Sequence, residues 1–228
     1  MPRIPRVAPG GMIYHVLNRA NGRQRLFRTR GDFQAFYDVL LLAMQRHPTR
    51  LLSWCVMGNH WHFVPWPRQD GELSRFFGFL GLTHATRWQT AHQLIGTGHV
   101  YQGRFKSFMI EQDDPPVLRV MRYVERNALR AGLVKRAEDW PWSSLHARLS
   151  GPPEIRALLS EPPVDWPRDW IKRVNQPQTT AEEGAIVRSI RRGTPLGDDA
   201  WVERIARKHD LTSTLRPRGR PMGWRKDK

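Results

Sequence analysis

The sequence predicts an α+β protein: a ferredoxin-like antiparallel sheet covered by helices, followed by a small C-terminal helical appendage. Three observations carry this. The apolar patterning runs β-α-β-β-α-β-α, only Gly58-Asn59 separates two β-rich runs in its middle, and the composition turns proline-rich beyond residue 150. The chain therefore divides into residues 1–150 and a segment 151–228 of connector, helical appendage and basic tail.

Each element has a local justification. Residues 12–18 alternate apolar and polar side chains, the period of a strand. The loop NRANGRQ leads into an amphipathic helix over about 32–46, which Pro48 closes. LLSWCVM and HWHFVPW read as a hairpin around Gly58-Asn59. A second helix fits 71–92, residues 93–104 read as loop, and FKSFMI reads as a short strand. Asp113-Asp114-Pro115-Pro116 places acids and prolines where a helix start favours them, and the third helix runs to residue 132. After GPPE and EPPVDWPRDW come two short helical patterns, 181–192 and 198–209, around GTPLG, and then a tail that reads as disordered.

Composition narrows the function. With 39% apolar and 10% aromatic residues, 228 residues can bury one ample core. The single cysteine, Cys55, excludes an internal disulfide and a Cys-based zinc site. The N-terminus lacks a basic start followed by an apolar run, and no run approaches the roughly 18 apolar residues of a membrane span, so a cytoplasmic protein is expected. Thirty-seven basic against 21 acidic residues give a net charge of +16, which points to a polyanion. Residues 1–30 hold seven arginines, Arg19 and Arg23 among them, and no acid. Only six of the basic residues are lysines; arginine's planar fork grips phosphate bidentately and stacks on bases, though a GC-rich genome would also favour it.

Two constellations could carry chemistry. His60 and His62 stand two apart on a predicted strand, so both imidazoles share a face while Trp61 takes the other; that is a metal-ligand geometry or a solvated strand pair. On the third helix, Val117, Val120, Met121, Val124, Ala128 and Ala131 form the apolar stripe, leaving Arg119, Tyr123, Arg126, Asn127 and Arg130 off it. Tyr123 and Asn127, four apart, project from one face, so a phenol and an amide oxygen could meet one site; the alternative is a surface tyrosine beside solvated arginines. In the tail, Pro217-Arg218-Gly219-Arg220-Pro221 matches the core of an AT-hook, or else serves as a phosphate-binding tether.

The runs CVMGNHWHFV, YQGRFKSF, RYVERNALRAGLV and EDWPWSSL, in that order and spacing, resemble the single-tyrosine HUH transposases, most closely the REP-associated tyrosine transposases. The resemblance covers about residues 10–148 and extends loosely to RRGTPLGDDAW and LRPRGRP. It implies the HUH endonuclease fold, with His60 and His62 as metal ligands, Asn127 completing the protein part of the site, and Tyr123 as nucleophile. It further implies a Mg²⁺- or Mn²⁺-dependent transposase that nicks and rejoins single-stranded or hairpin DNA through a phosphotyrosine. Arg19, Arg23, Arg104, Lys106, Arg119, Arg126, Arg130, Arg218 and Arg220 are the candidate DNA contacts. Whether such a protein is a monomer or a homodimer is open.

Three positions depart from the family pattern: Trp61 is bulky for the middle of the motif, ALRAG replaces NPxRAG, and Pro65 confines its point to a strand end, an edge or a bulge. None removes a ligand or the nucleophile. The same sheet and basic termini would also suit a domesticated, non-catalytic DNA- or RNA-binding protein. A phosphoesterase with two His-x-Thr motifs fits poorly, because His84 and Thr86 lie in helical periodicity and diverge.

Overall fold

The computed structural model describes residues 7–216. Its first 130 residues contain β1 (Ile13–Arg19), α1 (Arg30–Arg46), β2 (Arg50–Met57), β3 (His60–Trp66), α2 (Glu72–Ala91), β4 (Lys106–Ile110), α3 (Asp114–Glu125) and α4 (Asn127–Arg130). After them come α5 (Ser144–Ser150), α6 (Pro153–Arg156), α7 (Trp170–Asn175), α8 (Thr180–Arg192) and α9 (Asp199–Lys208). The four strands form an antiparallel sheet in the order β2-β3-β1-β4, the arrangement that the element order predicts.

Alternation along the central strands divides the core in two. Tyr14, Val16, Trp54, Trp61 and Phe63 join the cluster beneath α1 and α2. Ile13, Met57, Val64, Phe108 and Ile110 join Val117, Val120, Met121 and Val124 of α3 on the opposite face. Trp61 is fully buried and stacks on Phe77 with ring centroids 5.8 Å apart. Its bulk therefore fills the α1/α2 layer and leaves the histidine face clear. Pro65 lies near the end of β3 and faces Leu51, where β2 bulges between Leu51 and Ser53. The bulge accommodates a residue that cannot donate to the ladder.

Several boundaries differ from the sequence reading for identifiable reasons. A capping box, in which Thr29 and Asp32 satisfy each other's backbone N–H groups, starts α1 at Arg30. The third helix does not run unbroken to residue 132: it ends at Glu125, and a separate turn begins at Asn127. Ala131, assigned to the buried stripe, is exposed on that turn. The short helices α5, α6 and α7 have no counterpart in the sequence reading.

The C-terminal helices do not stand apart from the sheet as the sequence suggests. Leu196, between α8 and α9, forms a parallel bridge with Ile110 and exchanges backbone bonds with Met109 and Glu111. Gly197 makes this approach possible, since a Cβ there would fall 2.5 Å from Glu111 Oε2 and 2.7 Å from the Trp201 ring. The tail expected to be disordered, with Arg218 and Arg220, lies outside the described residues. Among the described residues, no helix is long and apolar enough to cross a membrane.

Candidate functional site

Strand alternation turns His60 and His62 toward the face that α3 covers, and pairing with β1 sets Arg19 opposite His60 and Leu17 opposite His62. The two imidazoles meet edge to face, centroids 5.0 Å apart. His60 Nδ1 lies 2.6 Å from Asn59 Oδ1, so this nitrogen carries the proton and donates. His62 Nδ1 lies 2.9 Å from Nε2 of His15, a fully buried residue on β1. Burial, then Arg19 and Arg130, lowers His60 to about 4. Burial, then the neighbouring His60 and His15 and the two arginines, holds His62 well below the ordinary histidine range; burial also lowers His15 to about 3. At neutral pH all three rings are uncharged.

Tyr123 projects from α3 into the same space. Its ring stands edge-on to His62 at 6.0 Å and to His15 at 6.3 Å. Arg130 donates 3.1 Å to the Tyr123 hydroxyl and 2.8 Å to Asn127 Oδ1, with its guanidinium carbon 4.6 Å from the centre of the Tyr123 ring. The other tyrosines are engaged elsewhere. Tyr14 donates to the Pro9 carbonyl, Tyr37 accepts from Trp54 Nε1, and Tyr101 pairs with His84 and Trp61. Burial pushes all three phenols well above the ordinary tyrosine value.

A cavity of about 330 Å³ gathers His60, His62 and Tyr123 with Arg19, Arg104, Lys106 and Arg130, all named from the sequence. Among the described residues, no carboxylate lines it. Arg23 instead lines a larger neighbouring groove. Arg119, 3.9 Å from Glu182, and Arg126, beside Lys135, do not reach the cavity. Asn127 does not line it either. Its Nδ2 donates to the Tyr123 and Val124 carbonyls at 3.1 and 3.4 Å, capping the broken end of α3 while Oδ1 accepts from Arg130.

Three contributors escape sequence reasoning. His15 looks like one polar position in an alternating strand, and only the register of β1 against β3 brings it to His62. Arg191 of α8 reaches the cavity from far along the chain. Glu125, fully buried at the end of α3, accepts from Ser144 Oγ at 2.7 Å and Trp170 Nε1 at 2.8 Å, and so anchors the tyrosine helix to α5 and α7. A charged residue at one end of the apolar stripe was the available signal.

The donor set fits a divalent cation in part. His60 and His62 are uncharged, each is held through Nδ1, and neither Nε2 has a partner among the described residues. Among those residues no three His, Cys, Asp or Glu side chains form a metal cluster, so further ligands would be neutral or external oxygens: the amides of Asn18 and Gln102 line the cavity, Asn127 Oδ1 keeps one lone pair but lies outside the lining, and water or a phosphate can complete the set.

Comparison with known proteins gives the chain a family and bears out its fold. The family described as "Transposase IS200 like" matches residues 10–127. A REP-associated tyrosine transposase of Escherichia coli (strain K12) is 24% identical over 164 residues, which is 70% of this chain and 87% of that protein. A solved structure described as a REP-associated tyrosine transposase bound to a REP hairpin shares the fold, with a TM-score of 0.52 and 20% identity over 73% of this chain and 95% of that one. With the family match spanning more than half its length, the chain belongs to the IS200-like transposases.

Proposed function

We propose that the protein is a divalent-metal-dependent endonuclease and strand transferase acting on single-stranded or hairpin DNA, with Tyr123 as nucleophile, His60 and His62 as metal ligands and Asn127 as a neutral third ligand. One observation carries it: the Tyr123 hydroxyl, the two Nε2 atoms and five cationic side chains converge on a cavity that no carboxylate of the described residues lines. A phosphodiester suits such a space, because its negative oxygens find cations, although Arg130 also lies 3.8 Å from the Glu183 carboxylate.

Arg19, Arg104, Lys106 and Arg191 would hold the DNA backbone on either side of the scissile phosphate, with Arg130 carrying charge that builds on its oxygens. The Tyr123 oxygen attacks phosphorus, losing its proton as the new P–O bond forms. The bond to the 3′-oxygen breaks, and that oxygen takes up a proton. One product is a 5′-phosphotyrosine, the other a free 3′-hydroxyl. A 3′-hydroxyl from another strand then reverses the step, joining the DNA and restoring the phenol without ATP. A divalent cation, Mg²⁺ or Mn²⁺ by family resemblance, supplies neutralisation of the phosphate and alignment of the leaving oxygen when bound. For His62 to ligate through Nε2, its Nδ1 must carry the proton and donate to His15 Nε2.

His60→Ala and His62→Ala each lower metal-dependent cleavage of a hairpin library by at least about a hundredfold, and Asn127→Ala lowers it less because water can replace a neutral amide. Excess EDTA abolishes wild-type cleavage. Full activity in the double histidine variant, or cleavage undiminished by EDTA, contradicts the metal assignment.

A further inference from the structure

The segment between α2 and β4 is exposed from residue 95 to 99 and turns through left-handed backbone at Gln93, Gly96 and Gly98. Past that point it joins the sheet. Asn21 N–H donates to the Val100 carbonyl at 2.8 Å, Tyr101 bridges Ala20, and Gln102 N–H donates to the carbonyl of Arg19, the residue that pairs with His60. Two faces follow. Tyr101 and Phe105 turn into the core beneath α1 and α2, where Phe105 meets Phe77 with centroids 5.5 Å apart, while Gln102, Gly103 and Arg104 line the basic cavity with His60 and His62. A slip of one residue along β1 would exchange these faces and take Arg104 away from the cavity.

The core beneath α1 and α2 holds a polar fixture at this place. Trp61 Nε1 donates to the Tyr101 hydroxyl at 3.0 Å, and that hydroxyl lies 2.8 Å from Nδ1 of His84 on α2. All three side chains are buried. An indole can only donate, so the hydroxyl accepts from Trp61 and its own proton goes to His84 Nδ1. His84 suits that role: Phe27 stacks on its ring and Phe36 meets it edge-on, and burial lowers its pKa to about 4 against the opposing charge of Asp32, so the ring is a neutral acceptor. Apolar contacts tolerate a sliding ring. A hydroxyl set between one buried donor and one buried acceptor does not, because a slip leaves both without a partner. Trp61 also stands between His60 and His62 on β3, so the same hydroxyl ties the strand of the two histidines to the segment that delivers Arg104.

We propose that Tyr101 is a positioning residue for strand cleavage: its hydroxyl, held between Trp61 and His84, pins the register of residues 100–104 and so sets Gln102 and Arg104 against the His60–His62 pair. The proposal rests on the strand-cleaving reading. Tyr101 faces the opposite layer from the cavity and acts through its neighbours.

The test combines hydrogen exchange of the full chain, read by mass spectrometry, with cleavage and binding of the hairpin that the wild type cleaves best from a degenerate library in Mn²⁺. Tyr101→Phe keeps the ring and removes the pin. Amides of residues 100–104 and of Asn21 then exchange about tenfold faster, and kcat falls about tenfold or more while hairpin affinity stays within about threefold, because the cations are displaced but retained. His84→Leu removes the acceptor and gives the same pattern. His84→Asn offers an oxygen acceptor near the place of Nδ1 and returns both readouts to within about threefold of wild type. Thermal melting checks that each variant is folded; if Tyr101→Phe is not, the two His84 variants carry the comparison. Wild-type kcat in Tyr101→Phe, a lower kcat with unchanged exchange over 100–104, or no difference between His84→Leu and His84→Asn overturns the proposal. A loss of hairpin affinity as large as the loss of kcat overturns it too, since that marks general damage. A wild type that cleaves no hairpin refutes the strand-cleaving reading instead, and exchange then decides the pin by itself: faster exchange in Tyr101→Phe supports it and unchanged exchange overturns it.

Discussion

His62 meets a neighbour at Nδ1 and leaves Nε2 without a partner among the described residues, and its tautomer couples the two nitrogens. Nδ1 meets His15, whose own Nδ1 is buried with no partner among the described residues, so one buried imidazole nitrogen goes unsatisfied in either tautomer. A histidine held there at such a cost is suited to positioning His62. His15→Phe removes the acceptor for His62 Nδ1–H and weakens Mn²⁺ binding to the hairpin-bound protein by about tenfold in calorimetric titration, while His15→Gln, which restores an acceptor, recovers most of it. Unchanged affinity in His15→Phe means that His15 does not set the tautomer. At this scale the sequence shows part of the site. His60 and His62 are legible because strand alternation is a local rule; His15 is not, because it meets them only through inter-strand register. Asn127 was legible as a neighbour of Tyr123, but its hydrogen bonds to the end of α3 and to Arg130 belong to a helix break that periodicity does not show.

At the scale of elements, α3 is the arm that presents Tyr123, and buried Glu125 fixes its end. Trp170→Phe removes one of the two donors to that carboxylate while keeping an aromatic ring in place, and costs about 1–3 kcal/mol of stability, read as a lower melting temperature. Burial raises the Glu125 pKa, outweighing the nearby Arg148 and its two hydrogen bonds. The folded protein therefore holds this proton more tightly than the unfolded chain. Its contribution to stability is full below the ordinary carboxylate range and is lost as pH rises through the raised folded value. The melting temperature of wild type minus that of Glu125→Gln should accordingly fall as pH rises across this interval; a difference that grows with pH would show the anion to be the stabilised form. The strands and long helices were legible because each carries its own period. The helices α5 to α7 were not: each has seven residues or fewer, too short to stand on propensity, and Glu125 and the sheet hold them in place.

For the whole molecule, the +16 charge is the broadest signal, and the fold sorts it. Arg19, Arg104, Lys106, Arg130 and Arg191 meet at one cavity, Arg23, Arg25, Arg28 and Arg30 rim the adjoining groove, and Arg119 and Arg126 lie elsewhere. Arg218, Arg220, Arg225, Lys226 and Lys228 follow in the tail. Deleting residues 217–228 lowers the log–log salt slope of hairpin binding by roughly 0.7 to 0.9 for each phosphate that the tail neutralises, and leaves cleavage chemistry intact; an unchanged slope means that the tail does not touch DNA. The cut leaves Thr214, whose carbonyl accepts from Arg192 and Thr194, in place.

The central claim is that Tyr123 makes a covalent bond to DNA. Incubating the full chain with a degenerate library of short single-stranded hairpins and Mn²⁺, denaturing it, and mapping any attached nucleotide by mass spectrometry tests that claim directly. The account predicts an adduct on Tyr123 that survives denaturation, disappears with EDTA, and is absent from Tyr123→Phe, although that variant binds hairpins within about threefold of wild type because it loses a hydroxyl and no charge. Salt-sensitive binding with no adduct, or an adduct on Tyr14, Tyr37 or Tyr101, would contradict it.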